Sequence, residues 1–85
     1  MGELSKLPNI GKNLEEQLHL VGIITIEDLK KTGSKEAWIK IRRIDNSACI
    51  NRLYALEGAI EGIRWHYLSE EKKLMLKEFY NFSKD

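Results

Sequence analysis

Eighty-five residues with 42% hydrophobic and 32% charged side chains suffice for one modest core and are too few for a second, a balance that argues against disorder. Fourteen Lys and Arg against thirteen Asp and Glu leave a net charge of +1, and a protein gripping DNA through bulk charge carries a marked basic excess. The lone Cys49 excludes an internal disulfide, no secretory leader pattern opens the chain, and no segment nears the roughly 18 apolar residues needed to cross a bilayer. The expectation is a single cytoplasmic domain spanning 1–85 that makes no membrane contact.

In chain order the pattern is helical throughout, predicting an all-α domain of five or six helices with no strand. Glu3 to Leu7 make about one turn before Pro8, because a residue ahead of proline is pushed out of helical geometry. Leu7-Pro8-Asn9-Ile10-Gly11-Lys12 then reads as a tight hairpin. A helix follows from Lys12 to about Leu20, with Leu14, Leu18 and Val21 on its buried side and Gly22 as a left-handed stop. Thr25 is the expected N-cap of the next short helix, with Asp28 three residues on in a variant capping box. Thr32-Gly33 closes it.

Ser34 opens a helix to about Arg43, with Ala37, Trp38 and Ile41 as its apolar stripe. Asp45-Asn46-Ser47 resets the chain. Cys49, Leu53, Leu56, Ile60, Ile63 and Tyr67 then alternate at spacings of four and three, which predicts one long helix from Ala48 to Trp65 as the spine of the domain. Within it Gly58 and Gly62 lie four apart. Each costs about 1 kcal/mol relative to alanine, so another helix is expected to cross there closely. The last helix starts at Ser69-Glu70-Glu71, with Met75, Phe79 and Phe82 on one apolar side and Leu76 and Tyr80 beside it.

The hairpin carries the clearest binding chemistry. A tight turn at a helix N-terminus leaves backbone N–H groups unpaired, and these, with the helix dipole, hold phosphate oxygens. Ile10 anchors the turn, Gly11 lets a ligand approach the backbone, and Asn9, Lys12 and Asn13 complete the candidate phosphate contact, with Arg42 and Arg43 as supporting cations. Such contacts position a protein on DNA without reading its sequence. The stretch resembles the helix-hairpin-helix motif of DNA repair and recombination proteins, with Asn9 standing where that motif has its first glycine. Asparagine tolerates left-handed geometry. The short leading helix, with Glu15 and Glu16 behind Lys12, predicts weak duplex contact.

Adding the second half sharpens the likeness. Leu7 to Gly11, Gly22-Ile23 with Thr25 and Leu29, and above all the block from Leu53 to His66 containing Ala55-Leu56-Glu57-Gly58-Ala59-Ile60 and Arg64-Trp65 resemble the C-terminal domain of TfoX/Sxy proteins. The resemblance covers nearly the whole chain. It implies a domain of helix-hairpin-helix (SAM-like) type, similar in shape to the C-terminal domain of the RNA polymerase alpha subunit; family members commonly carry a separate N-terminal domain, and a chain that begins almost at the hairpin is expected to be a stand-alone form. It also implies a regulatory role in natural competence, with a transcription factor or RNA polymerase as partner.

A second surface competes with the hairpin. Arg64, Trp65, His66 and Tyr67 have the composition of an interface hot spot, and with Phe79 and Phe82 they form a candidate surface for a protein partner or a homodimer. His19 and His66 have no metal-ligand spacing, Cys49 reads as a small buried hydrophobe, and Glu57 with Glu61 as a solvated helix face. No residue constellation suggests catalysis, and neither a metal nor a cofactor is expected.

Overall fold

The computed structural model describes residues 2–83. Five α-helices carry the chain: α1 (Lys12–Leu20), α2 (Ile26–Thr32), α3 (Ser34–Ile44), α4 (Ile50–Glu61) and α5 (Glu70–Ser83). A 3-10 turn at Glu3–Lys6 precedes α1, and another at Trp65–Tyr67 joins α4 to α5. No strand occurs among the described residues. Apolar residues from all five helices meet in one core, with Leu18, Leu29, Trp38, Ile41, Leu53, Leu56 and Leu76 fully buried.

Helices α1 and α4 stop by the same chemistry. After α1, Gly22 turns left-handed at φ +88°, its N–H donates to the His19 carbonyl, and the Ile23 N–H donates to the Leu18 carbonyl at 2.9 Å. After α4, Gly62 takes φ +77°, with Gly62 donating to Ala59 and Ile63 to Gly58. Both are Schellman closures, in which a residue without a Cβ turns the backbone and satisfies the orphan carbonyls.

The second closure corrects the long spine. The helix expected from Ala48 to Trp65 ends at Glu61, because the apolar spacing that runs on through Ile63 belongs to a turn folded back on α4. Tyr67 accordingly leaves the buried face and is 77% exposed. Cys49 is corrected too: it precedes the helix and is exposed, while its carbonyl accepts the indole N–H of Trp38 at 3.2 Å.

Gly58 is the glycine that permits close approach, though not by a crossing helix. A Cβ there would lie 2.6 Å from Asn9 Nδ2, 2.8 Å from the Ile63 carbonyl and 3.1 Å from Trp65 Cα. The hairpin and the returning turn therefore share the space its side chain would fill. Trp38 fixes α3 against α5, meeting the rings of Phe79 and Tyr80 edge-on at 6.1 and 5.4 Å. On α5, Leu76 is buried, whereas Met75 and Phe82 face solvent, so the core side of this helix is Leu76, Phe79 and Tyr80.

Candidate nucleic-acid interface

The hairpin is shaped by one side chain. Asn9 sits at φ +71°, the left-handed geometry that the first glycine of such a turn supplies. Its amide Nδ2 donates to the carbonyls of Ala55 at 3.3 Å and Ile63 at 2.9 Å. Its Oδ1 accepts the Trp65 N–H at 3.1 Å. Asn9 thus clamps the hairpin to the C-terminal end of α4, and its side chain is engaged within the fold. Ile10 beside it is buried in the core.

Gly11, Lys12 and Asn13 present the opposite picture, since all three are exposed. Gly11 is the N-cap of α1 at φ −95° and brings no capping side chain. The third helical residue is Leu14, which cannot return a hydrogen bond as a capping-box carboxylate does. The amides of Gly11, Lys12 and Asn13 have no hydrogen-bond acceptor among the described residues. Their orientation along the helix axis makes them an anion-binding end. Lys12 makes no ion pair among the described residues.

A cleft of about 660 Å³ runs from this helix start along α1 to Asp45 and Arg52. Arg52 donates to Asp45 at 2.9 Å and to Gln17 Oε1 at 3.2 Å, and Gln17 Nε2 donates to Asp45 at 2.8 Å. The Ser47 hydroxyl, the Gln17 amide and the Arg52 guanidinium hold Asp45 well below the usual carboxylate range. The cleft therefore carries Lys12 and Arg52 against Glu16 and Asp45. That mixed charge suits a single local phosphate contact better than a long basic track.

The supporting cations are not where the sequence grouped them. Neither Arg42 nor Arg43 lines this cleft; the Arg42 guanidinium lies 5.3 Å from the Trp38 ring, and Arg43 is exposed at the end of α3. Arg52, which sequence reasoning missed, is the cation beside α1. Its one sequence signal is its place next to the apolar stripe of α4 and seven residues after Asp45.

Two acidic sites stabilise the neighbouring structure. Glu15, 4% exposed, accepts the Gly2 and Ser5 N–H groups at 3.3 and 3.2 Å. Burial works to raise its pKa, but those donors and His19 outweigh burial and the net shift is downward. Glu57 and Glu61 are corrected from a solvated face to a network. Glu57 accepts the Ser34 hydroxyl at 2.6 Å, and Lys72 reaches Glu57 at 3.2 Å and Glu61 at 3.5 Å. Among the described residues no group of three His, Cys, Asp or Glu could hold a metal ion, and no helix is long and apolar enough to cross a membrane.

The other candidate surface divides in two. Trp65 is half-buried, stacked between Tyr54 and His66, while Arg64, His66 and Tyr67 are exposed. Phe79 packs on Trp38 under the Lys35 ammonium, whereas Phe82 is 88% exposed.

The fold is thus a small all-α domain in which a clamped hairpin presents one open helix start. Comparison with known proteins places it: the chain belongs to the TfoX C-terminal domain family, whose model matches residues 1–80. It is similar to Protein Sxy of Escherichia coli strain K12, 34% identical over 76 residues, which make up 89% of this chain and 36% of that protein. The chain therefore spans about a third of the length of this curated relative. Two crystal forms of proteins from Listeria monocytogenes, described as uncharacterized or of unknown function, superpose with a TM-score of 0.91. The triclinic form is 56% identical and covers 93% of this chain and 90% of its own; the tetragonal form is 55% identical and covers 94% and 98%.

Proposed function

We propose that this domain is a non-enzymatic regulatory accessory module that touches the phosphate backbone of duplex DNA weakly while engaging the transcription machinery. Membership of the TfoX family supports the regulatory part, including a role in competence. The observation that carries the phosphate contact is Gly11. Gly22, Gly33 and Gly62 take a positive φ, and a Cβ at Gly58 or Gly2 would meet a neighbour at 2.6 or 2.7 Å. At Gly11 the φ is ordinary and an added Cβ would meet nothing within 4 Å. The missing side chain thus leaves the open amides accessible to an external group.

In this reading one phosphate sits against the Gly11 to Asn13 amides with Lys12 beside it, and the charge balance of the cleft keeps affinity low. Titration of a duplex at two salt concentrations tests it. Binding falls with rising salt, and Lys12→Glu weakens it and lowers the salt slope by about one contact. A wild-type protein that stays unbound at low salt ends the phosphate reading.

A second reading, a protein-protein or homodimer module, draws on the exposed Leu74, Met75 and Phe82 of α5. Sedimentation of the pure protein decides the homodimer version, which a strictly monomeric result removes.

A further inference from the structure

The segment from Arg64 to Tyr67 takes no part in the phosphate contact, yet two of its rings stack in register on α4. Tyr54 and Trp65 stack with centroids 5.5 Å apart and planes 20° from parallel. His66 stacks on Trp65 at 4.0 Å and 25°. The three rings form a ladder that rises from α4 and ends at an exposed imidazole, whose one ring contact among the described residues is Trp65.

The ladder is held at three points: the Trp65 N–H on Asn9, the His66 carbonyl accepting Lys73 Nζ at 3.2 Å, and the Tyr54 hydroxyl donating to the Lys73 carbonyl at 3.4 Å. The first of these joins it to the hairpin, since at most about 7 Å of extended backbone separates Asn9 from Gly11. Arg64, exposed, makes no ion pair among the described residues. Tyr67, next in the chain, is exposed as well.

We propose that the outer face of His66 is a stacking platform for an unpaired nucleic-acid base, next to the hairpin that holds a phosphate of the same molecule. The proposal rests on the phosphate reading above. Inside a duplex both faces of every base are covered by its neighbours, so a fixed protein ring takes up a base only where pairing and stacking are interrupted. A ring already stacked on Trp65 gives up little freedom on binding, and Arg64 supplies a cation for the adjoining backbone or base face. The occupant is therefore a single-stranded stretch continuous with a duplex.

Fluorescence anisotropy at low salt tests this with a labelled blunt duplex and the same duplex carrying a short single-stranded gap. The gapped DNA binds about fivefold tighter or more, the worth of one stacked base. His66→Ala, an exposed position, returns the gapped DNA to the affinity of the intact duplex and leaves the intact duplex unchanged. Lys12→Glu weakens both and preserves their ratio. Equal wild-type affinities overturn the platform and leave the phosphate grip standing, and a preference that survives His66→Ala also overturns it. Absence of binding to either DNA overturns both readings and points to a protein side chain as the occupant of the ladder.

Discussion

At the start of α2, Asp28 donates its N–H to the Thr25 hydroxyl at 3.0 Å and its carboxylate accepts the Thr25 and Ile24 N–H groups. Glu3 reaches across to accept the Ile26 N–H at 3.0 Å. At the start of α1, Gly11 offers no side chain, Leu14 stands where Asp28 stands in α2, and the first amides remain open. One helix has its positive end closed by the Thr25 hydroxyl and the carboxylates of Asp28 and Glu3, which contributes to stability. The other leaves that end to solvent, beside the Asn9 clamp and the buried Ile10. The difference teaches that the open end of α1 is a local choice of residues, since the same chain caps α2 with side chains.

The largest expected effect comes from breaking the support of the open end. Asn9→Ala removes three hydrogen bonds and a residue suited to positive φ, lowering unfolding free energy by about 3 kcal/mol. Gly58→Ala, which drives a methyl into Asn9 and the Ile63 carbonyl, lowers it by about 2 kcal/mol. Urea denaturation checks both, and a neutral Gly58→Ala would show that the clamp yields.

Next comes the closed end. Thr25→Ala loses the side-chain cap and about 1 kcal/mol by the same measurement.

Asp28 then gives the closed end a pH dependence. Its carboxylate is held below the ordinary value of 3.8 chiefly by the Thr25 N–H, then by the Ile24 N–H. The unfolded chain therefore protonates first on acidification. The stabilisation is fully present above the unfolded pKa and is lost as pH falls through the lower folded pKa. Asp28→Asn flattens this part of the urea-midpoint curve against pH, leaving the contributions of Asp45, Glu15 and Glu57, shifted in the same direction.

The smallest effect sharpens the comparison most. Gly11→Ser supplies the missing cap at a backbone angle serine accepts and raises stability by a few tenths of a kcal/mol, about 0.3. It fills the approach to the amides and weakens binding of duplex DNA. A Gly11→Ser protein that is stabilised and binds unchanged would separate the open helix end from DNA contact.

What the sequence made legible was local. The boundaries of α1, the Gly22 stop and the Thr25 and Asp28 box depend on residues within one turn of each other, and the structure shows all three. The end of α4 was misread because Ile63 continues the helical spacing, while Gly62 closes the helix by backbone conformation that no apolar pattern records. Cys49 followed the same misreading. At the site, the exposure of Gly11 to Asn13 was legible from the turn residues. The inward turn of Asn9 was not, because its partners lie 46, 54 and 56 residues away. Arg52 escaped notice because its neighbours Gln17 and Asp45 come together only in the folded chain.

Those long spans set the order in which the molecule takes shape. Each helix and its closures form from nearby residues on fast timescales, whereas a bond from Asn9 to Ile63 or Trp65 must wait for most of the chain to collapse. During synthesis the hairpin emerges early and keeps an undefined shape until the turn after α4 has been made and docked. The hairpin is thus among the last parts to mature, and a chain truncated before Trp65 lacks α5, the Trp65 N–H that Asn9 accepts and the Leu76 part of the core.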